Sequence, residues 1–163
     1  MKYTEYKKSA KRHLDTCGHL IKTLNSVQAK TTHSQQECQN NLILNVFYLS
    51  GYVVECILKF TFFQSIHYDR TKDVESLDQD HCDKVFKDLR THRVDELIAL
   101  VEKYDKHLPP DLPFFRQKPK KEIEKMFKSW TPDQRYNSMG IDKTTVEEYL
   151  SVVTQIHSKL ANR

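Results

Sequence analysis

The stretch from Glu37 to Ile66 is apolar on nearly every side of a helix, and it constrains the fold more than any other feature. Leu42, Val46, Leu49, Val53, Ile57 and Phe60 recur at intervals of three and four residues, and Ile43, Phe47, Val54, Leu58 and Phe62 fill much of the remaining circumference. A helix apolar all round has to be enclosed by other elements, which predicts a central helix with partners packed about it. Ser50 and Gly51 interrupt it midway. Glycine in a helix interior costs about 1 kcal/mol, so a neighbouring group is expected to approach closely there. No apolar run nears the roughly 18 residues of a membrane helix, and no membrane span is expected.

Apolar spacing is helical elsewhere too. From Tyr3 to Val27, Tyr6, Ala10, Leu14, Leu20, Ile21, Leu24 and Val27 fall on one stripe, while Lys7, Lys8, Lys11 and Arg12 line the other face. That is an amphipathic helix with a basic exterior. Ala29 to Gln36 reads as a loop, and Tyr68 to Asp80 as a polar surface loop. A short helix is expected over His81 to Leu89, and a firmer one over Val94 to Tyr104. Four of the five prolines (Pro109, Pro110, Pro113 and Pro119) fall between His107 and Pro119. They predict an extended connector that lays Leu112, Phe114 and Phe115 against the body. Lys120 to Lys128 reads as a helix with Ile123, Met126 and Phe127 inward, and Ser129 to Ile141 as turns. A final helix opens on Thr144 and Thr145, each at capping-box spacing from Glu147 and Glu148. Its stripe is Val146, Tyr149, Leu150, Val153, Ile156 and Leu160.

Composition narrows the function classes. Only 3 of 163 residues are glycine, which excludes the Gly-rich phosphate loops of dinucleotide-binding and P-loop folds and disfavours a turn-dense β-sandwich. Residues 1–163 have the length of a single domain, and no repeat or linker divides them; the fold class is all-α. Lys and Arg number 26 against 22 Asp and Glu, a net charge of +4, compatible with a nucleic-acid partner without requiring one. Cys17, Cys38, Cys56 and Cys82 form no C-x-x-C pair, so no zinc site, redox dithiol or other cofactor is expected. The first residues carry no apolar leader, and a cytoplasmic location follows as the expectation.

Three short stretches could carry chemistry. In Tyr48–Phe60, Glu55 and Lys59 stand four residues apart on one helical face, either as a half-exposed ion pair at the rim or as a carboxylate held in a polar pocket. In Arg90–Leu97, His92 precedes a helix whose first turn carries Asp95 and Glu96, where negative charge suits the dipole. In Trp130–Tyr136, the single Trp130 lies near Arg135 and Tyr136, a set suited either to recognition or to anchoring the loop on the core. Lys118, Lys120, Lys121, Lys125 and Lys128, close to Phe114, Phe115 and Trp130, could track a phosphate backbone, although Glu122 and Glu124 dilute the field.

The ordered set YLSGYVVECILKF, THRVDEL, RY and a last amphipathic helix resembles the HEPN superfamily of prokaryotic helical domains. The matching positions are Gly51, Glu55, Leu58 and Lys59, then His92, Val94 and Leu97, then Arg135 and Tyr136. The resemblance implies an up-and-down bundle of four to five helices, often dimeric. It implies work beside a nucleotidyltransferase or another protein partner in toxin–antitoxin, phage-defence or RNA-processing systems. Many members are metal-independent ribonucleases with an Arg-x4–6-His signature. Here that spacing occurs only at Arg12 and His19, on the first helix rather than a later one. The expectation is therefore an accessory or binding subunit whose Glu55, Lys59, His92, Arg135 and Tyr136 converge on one polar site, with Trp130 beside it. The alternatives are a divergent ribonuclease using His92 and Arg135, and a structural subunit docking a protein through Phe62, Phe63, Phe114 and Phe115.

Overall fold

In the computed structural model, which describes residues 1–26, 32–77, 89–113, 119–133 and 140–163, the long apolar stretch forms α2 (His33–Ser65). Around it stand α1 (Thr4–Ser26), α3 (Val94–Tyr104), α4 (Lys121–Ser129) and α5 (Lys143–Ala161). The expected all-α bundle is the observed architecture. By length and composition α2 could cross a membrane, but over half of its most apolar window is buried within the fold. Val46, Val53, Val54, Ile57, Leu58 and Phe62 are fully enclosed, the burial that an apolar circumference demands.

Side-chain pairs fix the helix directions. Tyr3 stacks on Phe63 and Cys17 lies against Ser50, so α1 runs antiparallel to α2. His92 meets Glu55 at the start of α3 and Asp105 meets Ser65 just past its end, so α3 runs in the same direction as α2. Tyr149 against Phe47 and Arg163 against Asp105 give α5 that direction as well. Alternation of direction thus holds for the α1–α2 pair, whereas α3 and α5 run in the same direction as α2.

Several local expectations need correction. α2 begins at His33, inside the stretch read as loop, because Thr32 and Gln35 form a capping box: Gln35 N–H donates to Thr32 Oγ1 at 3.3 Å and Thr32 N–H to Gln35 Oε1 at 3.2 Å. At the start of α5 the expected Thr–Glu boxes do not form. Asp142 caps that helix, accepting from Thr145 N–H at 2.9 Å and Thr145 Oγ1 at 2.7 Å. Asp142 occupies the N-cap position, from which its carboxylate reaches the N3 amide of Thr145; Glu148 instead pairs with Lys120 at 2.8 Å. The segment after α2 is not merely a surface loop, because Tyr68, Val74 and Leu77 are buried and Val74 N–H donates to Met1 C=O at 2.8 Å. Phe62 and Phe63, expected on a docking surface, lie wholly in the core. Phe114, Phe115 and residues 81–88 of the expected short helix fall outside the described residues.

Gly51 has the close neighbour its position predicts. A Cβ there would lie 1.9 Å from Trp130 Cε2, so the indole sits directly on the α2 backbone. Trp130 is 1% exposed, and its Nε1–H donates to Tyr48 C=O at 3.1 Å.

Candidate functional site

The helical period puts Glu55 and Lys59 one turn apart on α2, and their charges meet at 2.7 Å between Nζ and Oε1. Both side chains are only 7% exposed. Of the two arrangements open to the pair, the enclosed one is observed. From the segment just before α3, His92 Nδ1 lies 3.1 Å from both Glu55 oxygens. An ionised carboxylate can only accept, so Nδ1 carries the hydrogen and donates. The rest of the ring is half in solvent, with a side-chain exposure of 54%. In the neutral form of the ring with Nδ1 as donor, Nε2 is the acceptor, on an imidazole whose orientation the interior sets. Next to it, Thr91 Oγ1 donates to Glu96 at 2.6 Å and accepts from Arg93 N–H at 3.1 Å, fixing the turn that carries His92.

α1 supplies the facing wall. Lys59 Nζ lies 6.0 Å from the centre of the Tyr6 ring. Two turns along, His13 stacks on Tyr52 with ring centres 5.6 Å apart. Burial and then the neighbouring Cys56 and Glu55 push the Tyr6 phenol up to about 12. Burial and the Glu55 carboxylate likewise raise the Cys56 thiol to about 12. Both groups stay neutral, and the Cys56 thiol is no nucleophile at ordinary pH. Burial and the Arg12 charge lower the His13 imidazole below its usual value, opposed by Glu55. Tyr6 and His13 were missed as site residues. Their seven-residue spacing about Ala10 on the apolar stripe was the available signal.

Family models, curated proteins and solved structures give no match to this chain.

Three of the five residues expected to converge therefore do so: Glu55, Lys59 and His92. Arg135 and Tyr136 lie outside the described residues, as does Lys118. Trp130 is enclosed, and its contacts are those of an anchor for the loop rather than of a ligand-facing ring. On α4, Lys120 pairs with Glu148 at 2.8 Å and Lys128 with Glu124 at 2.5 Å. Lys121 and Lys125 share that surface with Glu122, so the expected basic stripe is interleaved with acid. Arg12 and His19, the pair at ribonuclease spacing, are both exposed on α1, where Arg12 donates to Ser9 Oγ at 3.0 Å. Among the described residues no cluster of three His, Cys, Asp or Glu side chains could hold a metal ion.

Proposed function

We propose that this chain is a HEPN-like accessory subunit of a prokaryotic defence or toxin–antitoxin system. It acts in the cytoplasm and binds RNA or a nucleotide at the face carrying His92 while associating with a protein partner. A nucleotidyltransferase, another subunit of the system or a second copy of the chain fits that role. One observation carries the reading: polar positions matched by the family resemblance, Glu55, Lys59 and His92, come from distant segments and join in one hydrogen-bonded group. A buried carboxylate costs several kcal/mol of desolvation, which its two cationic or donating partners offset. Only His92 of the three is open to a ligand, so it makes the contact while Glu55 and Lys59 hold it. Among the described residues Met1 is the one exposed large apolar side chain, which favours a polar partner surface over a greasy one.

A divergent ribonuclease is the second reading, and the orientation of His92 favours it. A donor at Nδ1 leaves Nε2 able to take the proton of an RNA 2′-hydroxyl, and Arg135 would then neutralise the phosphate. Incubation of the purified protein with a mixed RNA pool separates the two. Retention of RNA without cleavage, lost in His92→Ala, supports the binding subunit. Cleavage abolished by both His92→Ala and Arg135→Ala replaces it with the enzyme. Neither retention nor cleavage, and no change of native mass with RNA or with added mononucleotides, refutes both.

A further inference from the structure

At the opposite end of α2 from its capping box, a cavity of about 390 Å³ opens between the ends of α2, α3 and α5. Its floor is an organised ion pair. Asp105, 8% exposed, receives both terminal nitrogens of Arg163, the hydroxyl of Ser65 at 3.0 Å and the N–H of His107 at 2.9 Å. Burial would raise this carboxyl, but the Arg163, His107 and Ser65 hydrogen bonds outweigh it and hold it below the usual range. Arg163 Nη2 also donates to His107 C=O at 3.2 Å, which fixes the guanidinium plane. Lys106 adds a positive charge to the walls, and His67 and His107 add imidazoles.

Basic side chains near helix C-termini are ordinarily explained by the helix dipole and the exposed carbonyls. That explanation is incomplete here. Among the described residues, the side chains of Lys106, His67 and His107 neither hydrogen-bond a helix-end carbonyl nor pair with an acid. α2 closes instead through its own backbone, His67 N–H to Gln64 C=O and Tyr68 N–H to Phe63 C=O, both at 3.0 Å. This is a Schellman closure with a left-handed residue at its turn. The residue is His67, at φ 52°, where glycine would sit without strain. A side chain is therefore kept at a position that disfavours one, and it lines the cavity.

We propose that this cavity is a binding site for a compact phosphate-bearing anion. The donors left for it are Lys106, His67 and His107, which reach the cavity from the ends of α2 and α3 beside the Asp105–Arg163 pair. Among the described residues the one acidic side chain in the wall, Asp105, is already paired with Arg163, and the volume falls in the range of small-molecule pockets. The site is separate from the Glu55–His92 group and does not depend on its function.

The test is titration of the full chain with pyrophosphate and, in a second arm, with adenosine 5′-monophosphate, followed by calorimetry. Saturable one-to-one binding is expected. Affinity should fall at least tenfold in K106Q/H107Q and in H67G, all at exposed positions, and H67G should also raise the urea midpoint by relieving the left-handed turn. Tighter binding of the nucleotide assigns the phosphate to a nucleoside carrier, and tighter binding of pyrophosphate to a free phosphoanion. Absence of saturation with both probes, or affinity unchanged in both variants, overturns the proposal and leaves these side chains as ordinary polar groups at the helix ends.

Discussion

Substituting Gly51 by alanine tests the packing of Trp130 on α2, one turn before Glu55. In an unobstructed helix interior this change stabilises by about 1 kcal/mol. Here the new methyl carbon would lie 1.9 Å from Trp130 Cε2, 2.0 Å from Nε1 and 2.3 Å from Cδ2. Ordinary carbon contacts are about 3.5–4.0 Å, so the indole must retreat by more than 1 Å. The ring has no room to yield: it is 1% exposed and packs edge-on against Tyr52 at 5.1 Å. Overpacking of this kind costs about 1–3 kcal/mol, and the strained Nε1–H to Tyr48 bond adds about 1. Against the gain in propensity, the net loss is about 1–3 kcal/mol. Urea unfolding followed by circular dichroism measures it, and fluorescence of the only tryptophan should shift toward that of a wetter indole. Stabilisation by about 1 kcal/mol with unchanged emission would refute the close contact.

Other perturbations have equally definite outcomes. Glu55→Gln or Lys59→Met alone strands a buried charge and should cost about 3–5 kcal/mol, whereas Glu55→Leu with Lys59→Met together should lie close to the parent stability in the same urea assay. Asp142→Ala should cost about 1 kcal/mol through loss of the α5 cap, with Glu147→Ala and Glu148→Ala each changing stability far less. Acidification should destabilise the fold between about pH 7 and 5. Burial lowers the His157 imidazole, Lys11 and Lys7 lower it further, and burial also lowers His13. The unfolded chain therefore takes up those protons first, near about pH 6.5, and the stability present above that pH is lost as pH falls. Urea midpoints at stepped pH should show a shallower slope for His157→Gln, whose parent Nε2 is buried without a partner among the described residues.

Periodicity made the helices readable, because burial follows the 3.6-residue repeat directly. The Glu55–Lys59 pairing needed only that repeat. Its burial did not follow from spacing, since Tyr6 of α1 and His92 ahead of α3 enclose the pair, and helix register is set by contacts remote in sequence. The proximity of His92 further requires α3 to run alongside α2 in the same direction, which no pattern within α3 reveals. Gly51 announced a close approach without naming Trp130 as its source. At the helix starts two signals competed: Thr32 and Gln35 were hidden in a polar stretch, and Asp142 stood just before a more conspicuous Thr–Glu spacing. The basic cavity had no sequence signature, because Asp105, His67 and Arg163 meet only when three helix ends do.

The central claim is that a carboxylate buried in α2 sets the protonated nitrogen of an exposed imidazole. Nitrogen-15 NMR of the His92 ring, recorded at alkaline pH where imidazoles are neutral, tests it directly. Hydrogen on Nδ1 in the parent protein, moving to Nε2 in the Glu55→Leu/Lys59→Met double variant, which leaves no acceptor at that point, is the predicted result. Hydrogen on Nε2 in both proteins would contradict the account.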